Sequence, residues 1–316
     1  MNRRNVGNSG LRVSSIGLGC NNFGMRVDAA DSRKIIQRAL DLGITLFDTA
    51  PVYGNEWGAS ENILREALGH HRQEVVIVTK FGTQPNMQLG PDTSRGAILR
   101  DIEASLQRLG TDYIDLYMLH WPDNSTPLQE TLRTLEDIVR TGKARYIGCC
   151  NLPAWQVVES KWLSKTEGLR EFIVAQDEYS LAYRAAEKQL LPALNHYGMG
   201  FMPYAPLANG LLTGKYSAGT AAPEHSRLAA NLWKTGDLYL TEKNLALVAG
   251  LSAFAARRGR TLLELAISWL LANPAVCSVI AGATRLEQLE ANTSAGEWQL
   301  SSDELAEIDQ ICKEFG

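Results

Sequence analysis

Apolar runs of strand length recur along the chain: SIGLG, ITLF, VVIVT, YIDLYML, ARYIGC, FIVA, MGFMP and VCSVI. Between most of them lie segments whose apolar positions follow helical spacing. Ile98, Ile102, Leu106 and Leu109 sit four, four and three apart, one stripe of a helix. Four such segments end in a glycine (Gly43, Gly110, Gly142 and Gly198), and an apolar run follows each within a few residues. A glycine past a helix takes the left-handed conformation that caps it, so helix–Gly–strand predicts the connection used in parallel sheets. Eight strands alternating with helices predict an α/β fold of the (β/α)₈ TIM-barrel type, with residues 1–316 as a single domain. A doubly wound sheet is the rival. Its Gly-x-Gly-x-x-Gly signature is incomplete here, because Gly17 and Gly19 are present but Asn22 holds the third position.

Three stretches depart from the repeat. VGNSGLRVS, before the first strand, predicts a short N-terminal hairpin with its turn around Asn8 to Gly10. Ala205 to Tyr239, after the seventh strand, is a long loop rich in Gly, Ala and Pro, and loops of that length are usually functional or disordered. The uncharged run from Leu265 to Thr284 is long enough to span a bilayer, but Asn273-Pro274 breaks it. It reads instead as a buried helix followed by a buried strand, Val276 to Ile280, so no membrane role is expected.

Composition narrows the function class. At 45% hydrophobic and 21% charged, 316 residues can bury a sizeable core. The net charge of −4 is scattered in both signs, which excludes a basic nucleic-acid patch. Five cysteines contain no C-x-x-C pair and leave an odd one over, as expected of reduced thiols in a cytoplasmic protein. The N-terminus MNRRNVGNSG has no apolar segment of the kind that drives secretion.

The chemistry stands at the strand ends. Asp48, Lys80, His120, Asn151, Gln176 and Tyr204 each sit at or just past an apolar run, on the barrel face where active sites are built. One polar residue in such a place is most often a turn former or cap; an acid, a cation and an imidazole together are not. Tyr53 follows Asp48 by five residues. A phenol with a pKa near 10 is a poor proton donor at neutral pH, and a lysine beside it could lower that value by roughly 1–3 units. A buried lysine in turn keeps its charge through a carboxylate. Asp48, Lys80 and Tyr53 therefore form a workable proton relay, with His120 to orient a carbonyl oxygen.

The motifs FDTAPVYG, VVIVTKFG, YMLHWPD, GCCN, QDEY, YAPLANGLLTGKY and IAGATRLEQLEAN occur in this order and cover nearly the whole chain. In them the sequence resembles the aldo-keto reductases. The resemblance implies a (β/α)₈ barrel that binds NADP(H) in extended form and reduces small aldehydes or ketones. On matching positions, Asp48, Tyr53, Lys80 and His120 would be the catalytic tetrad, hydride passing to the carbonyl carbon while Tyr53 protonates the oxygen. Asn151 and Gln176 would hold the nicotinamide carboxamide, with Cys150 where serine is usual, and Tyr204 would stack on the nicotinamide. Leu207, Gly210 and Lys215 would lie over the pyrophosphate. Gly282, Thr284, Arg285, Gln288 and Asn292 match the adenosine-phosphate site, where a helix starting at Thr284 would favour a phosphate on physical grounds too. Arg285 is the candidate partner for a 2′-phosphate, favouring NADP over NAD. Ser180 for asparagine and Ala281 for proline are further departures from the family pattern.

Other residues carry less. His70 and His71 read as surface residues, His196 and His225 belong to no motif, and no metal-ligand spacing appears. Trp57 and Trp121 directly follow tetrad motifs and could wall a substrate pocket. Two other functions stay open on sequence alone. Potassium-channel β subunits resemble the same family and act chiefly as partners, so a cofactor-binding partner module is one. A Schiff-base lyase using Lys80 is the other, disfavoured because an ammonium paired with Asp48 is a poor nucleophile. The substrate and the oligomeric state are not legible.

Overall fold

The computed structural model describes the chain except for Ala218, His225, Leu232, Trp233 and Gly316. Strands β1 (Arg3–Asn5) and β2 (Arg12–Ser14) form an antiparallel hairpin with Arg3 opposite Ser14 and Asn5 opposite Arg12. The strands that follow are β3 (Ile16–Gly19), β4 (Leu46–Asp48), β5 (Val76–Phe81), β6 (Ile114–Leu119) and β7 (Ala144–Cys150). They continue with β8 (Val174–Glu178), β9 (Gly200–Tyr204) and β10 (Val279–Gly282). These eight make one parallel sheet, ordered β10-β3-β4-β5-β6-β7-β8-β9.

The sheet closes on itself through Phe201 of β9, which bridges Val276. Its N–H donates to the Ala275 carbonyl at 2.7 Å and its carbonyl accepts from Cys277 at 2.9 Å. The apolar run expected as one strand, Val276 to Ile280, is therefore shared. Its first half pairs with β9, and the strand proper begins at Val279, opposite Ile16 of β3. The strand is of the expected kind but starts three residues later, because one segment hands over between two neighbours.

Helices α1 (Ala29–Asp41), α2 (Ala59–Leu68), α3 (Arg95–Leu109), α4 (Leu128–Arg140), α5 (Ala154–Glu167) and α6 (Leu190–Tyr197) join successive strands. Then come α7 (Thr235–Tyr239), α8 (Glu242–Ala256), α9 (Leu262–Ala272), α10 (Leu286–Ser294) and α11 (Ser302–Phe315). The α3 stripe is buried as its spacing requires. Gly43, Gly110, Gly142 and Gly198 have φ of +78°, +61°, +79° and +66°, the left-handed values expected of them. The long loop holds a 3₁₀ segment, Ala208–Thr213, and α7. Leu265 to Thr284 folds as most of α9 followed by β10, and no helix among the described residues is long and apolar enough to cross a membrane.

Strand alternation sorts the core into two. Leu46, Val78, Leu116, Met118, Val174, Met202 and Ile280 fill the barrel interior. Their strand neighbours Phe47, Ile77, Tyr117, Leu119, Ala175 and Phe201 face the helices. Val6 and Val13 of the hairpin join the inner cluster, so the hairpin seals the N-terminal end of the barrel. Its turn leaves room for glycine alone at position 7. There φ is +53°, and a Cβ would stand 2.6 Å from the Gly200 nitrogen and 2.7 Å from the Gly198 oxygen. Gly7→Ala is expected to destabilise the protein by about 1–3 kcal/mol or more, read as a lower urea midpoint.

Candidate active site

Asp48 ends β4, Lys80 lies in β5 and His120 directly follows β6, each on the inner face by the same alternation. They form the row above Leu46, Val78 and Met118. Tyr53 stands in the loop between β4 and α2. The Lys80 side chain is completely buried. Its Nζ donates to both Asp48 oxygens at 2.8 and 2.9 Å, to the Thr49 carbonyl at 3.0 Å and to the Tyr53 hydroxyl at 3.4 Å. Three ammonium protons thus serve a carboxylate, a carbonyl and a phenol. The His120 ring meets the Tyr53 ring edge-on, 5.9 Å between centres. Trp121 is 44% exposed and lies over His120 at 6.0 Å, at the mouth; Trp57 is half-buried.

The residues matched to the nicotinamide end join the same network. Gln176 donates from Nε2 to Asp48 Oδ1 at 3.0 Å, and the Cys150 thiol lies 3.7 Å from Gln176 Oε1. Asn151 donates to the His120 carbonyl and accepts from the Tyr204 hydroxyl, both at 2.9 Å. Asn151, Ala205, Ala208 and Asn209 all have positive φ without being glycine. Such strain gathers at ligand clamps. Leu207, Gly210 and Lys215 follow along the 3₁₀ segment, with Lys215 exposed.

At the other end, α10 begins at Leu286, two residues after the expected start. The N–H and the hydroxyl of Thr284 both donate to Gln288 Oε1, at 2.8 and 3.0 Å, and the backbone is extended at Arg285, so the helix starts only after it. Arg285 stands at the N-cap position without a side-chain capping bond and is exposed, and Asn292 donates to the Gly282 carbonyl at 3.3 Å. Sequence reasoning missed two features. Asn22, only 4% exposed, sits beside Gly282, and its Oδ1 has no hydrogen-bond partner among the described residues. Its one signal in the sequence is the missing third glycine of the dinucleotide signature. Glu178, at the end of β8, accepts from the Tyr239 hydroxyl and ties the far end of the long loop to the barrel. The QDEY motif held that signal, read for its glutamine alone.

Residues 15–313 match the model of the Aldo/keto reductase family. The chain belongs to that family. It is 39% identical to an L-glyceraldehyde 3-phosphate reductase of Escherichia coli (strain K12), covering 98% of this chain and 92% of the relative. It is 38% identical to a probable voltage-gated potassium channel subunit beta of Arabidopsis thaliana, over 93% and 91% of the two chains. An uncharacterized oxidoreductase of Bacillus subtilis (strain 168) is 34% identical, over 97% and 94%. The aldo/keto reductase described here is thus an oxidoreductase on a (β/α)₈ barrel, of a family that acts on small carbonyl compounds.

The remaining expectations divide. Within this reductase, His70 is exposed and His71 partly so, in line with their reading as surface residues; His71 also meets Glu74 at 2.9 Å, a partner not expected, and His196 is exposed. His225 lies outside the described residues. No group of metal-ligating side chains occurs among the described residues. The expected fall in the Tyr53 pKa does not occur. Burial pushes the phenol up, Lys80 only partly offsets it, and the value is raised to about 12. Tyr53 is itself half-buried, so solvent at the mouth weakens that push without reversing it. For Lys80, burial alone would lower the pKa; Asp48 in contact reverses this and lifts it above the ordinary value.

His120 is held well below its ordinary value of 6.5, first by burial and then by the Lys80 charge. Below pH 6.5 the unfolded chain binds a proton at this position that the folded one refuses. Stability is therefore complete above that pH and declines as pH falls toward the depressed folded value, by up to about 1.4 kcal/mol per pH unit. Urea unfolding between pH 7.5 and 5 is expected to show this loss in the parent and a correspondingly flatter curve in His120→Asn.

Proposed function

We propose that this aldo/keto reductase reduces aldehydes or ketones with NADPH, Tyr53 acting as the proton donor. The observation that carries the reading is the buried Lys80 ammonium, clamped by Asp48 and touching the Tyr53 hydroxyl. NADPH, when bound, supplies the hydride. With its pKa at about 12, Tyr53 stays protonated at neutral pH and is loaded as a donor. An alkoxide is a far stronger base than a phenolate, so proton transfer to the forming product runs downhill. Lys80 stabilises the phenolate left behind, and Asp48 keeps Lys80 charged. Neutral His120 can donate a hydrogen bond to the carbonyl oxygen without competing for its proton.

The chain has residues that fit the cofactor. The unpartnered Oδ1 of buried Asn22 offers an acceptor beside Gly282, the left-handed Ala205, Ala208 and Asn209 lead into the long loop, and Arg285 stands exposed where α10 begins. Asn151, Gln176, Cys150 and Tyr204 would hold the nicotinamide. Leu207, Gly210 and Lys215 would cover the pyrophosphate, and Gly282, Thr284, Gln288 and Asn292 would line the adenosine end. L-Glyceraldehyde 3-phosphate, after which the E. coli relative is named, is a first substrate to test.

Tyr53→Phe is expected to bind NADPH as the parent does and to lose about 10²-fold or more in kcat. Retained turnover would remove Tyr53 from the role. NADPH consumed on addition of an aldehyde separates the enzyme from a partner module, which would bind the cofactor and leave its absorbance unchanged. Arg285→Ala is expected to raise the Kd for NADPH about tenfold and leave that for NADH alone. Equal affinity of the parent for both cofactors would sink the 2′-phosphate assignment.

A further inference from the structure

The relay is only as good as the distance between Tyr53, on a loop, and Lys80, in a strand. Their contact, 3.4 Å, is the longest that the ammonium makes. Two consecutive residues at the start of α2 govern both sides of it. The Ser60 N–H donates to the Tyr53 carbonyl at 3.1 Å. The Ser60 hydroxyl accepts from the Thr49 hydroxyl at 2.9 Å and donates to the Cys20 carbonyl at 3.0 Å. Thr49 in turn offers Lys80 its carbonyl.

Glu61, next along, has no solvent exposure. Its Oε1 accepts from the Thr79 hydroxyl at 2.6 Å, and its Oε2 from Arg108 Nε at 2.5 Å. Thr79 immediately precedes Lys80 and, by strand alternation, points outward toward α2 while Lys80 points in. A closed chain of contacts results: Lys80, Thr49, Ser60, Glu61, Thr79 and back to Lys80. Arg108 is fixed in its own right. It crosses Gly58, where a Cβ would stand 2.1 Å from Arg108 Cδ and φ is +82°, and it donates to Ser105 at 3.2 Å.

We infer that Glu61 is a positioning residue for the proton relay, holding the Lys80 strand through Thr79 in fixed relation to the Tyr53 loop. The inference rests on Tyr53 being the donor. A buried ion pair need not be kept for stability, since apolar side chains of similar volume often serve as well. A pair with both carboxylate oxygens engaged, by α3 and by the catalytic strand, fixes geometry. Misplacement by about 1 Å can cost 10²-fold in rate.

The test measures kcat per titrated NADPH site, the NADPH Kd and the melting temperature for Thr79→Val, Thr79→Ser and Glu61→Gln, beside Tyr53→Phe. Thr79→Val and Glu61→Gln are expected to lower kcat about tenfold or more with the Kd within about twofold. Thr79→Ser, which restores the hydroxyl, should return to within about twofold of the parent. Should Glu61→Gln fail to fold, Thr79→Val carries the test. A lower melting temperature with unchanged kcat per site would make Glu61 a structural residue only and overturn the inference, provided Tyr53→Phe is inactive. An active Tyr53→Phe would overturn the donor reading and the inference together.

Discussion

A cation without water has to be answered by the protein, and in this barrel that cation is the Lys80 ammonium. The fully buried charge is tolerable because Asp48 meets it in the interior, one strand away. Asp48 lies level with Val78 in the register, and Lys80 stands one pleat further along on the same face. The barrel supplies the pairing through strand order alone, and Gln176 secures the free side of the carboxylate from across the interior. Tyr53 touches that clamp directly, His120 meets Tyr53 edge-on, and Asn151 joins His120 to Tyr204.

Much of this was legible in the chain. Period-two alternation, glycine-capped helices and a polar residue at the end of six of the eight apolar runs are local signals, and the barrel assembled from them as expected. The inner row of Asp48, Lys80 and His120 was readable because residue type and strand end coincide. What escaped depends on contacts distant in sequence. Glu61 and Arg108 lie 47 positions apart, with no local pattern to join them. The direction of the Tyr53 shift is not readable in the chain, which reveals the neighbouring lysine but not that burial outweighs it. Val276 looked like the start of a strand, since nothing local says that Phe201 claims it first. Asn22 looked like the absence of a glycine and not the presence of an amide.

The two faces of each strand divide the work. Inward residues above the apolar layers carry charge and donors, while outward residues such as Thr79 and Tyr117 tie strands to helices. Chemistry and anchorage thus alternate residue by residue, and a change at one position reaches the other through a single peptide unit. The strained turns at Ala205, Ala208 and Asn209 sit where the long loop leaves β9, and the Tyr239–Glu178 contact closes its far end.

The sealed floor has a consequence for how such a chain can diversify. The hairpin closes the barrel with its own valines and with the backbones of Gly7 and Gly200 in close approach, a seal that among the described residues lies apart from the loops at the mouth. Insertions, deletions and new side chains around the opening therefore leave the seal intact. Lineages can try new substrates at one end of the molecule while the other end keeps it folded.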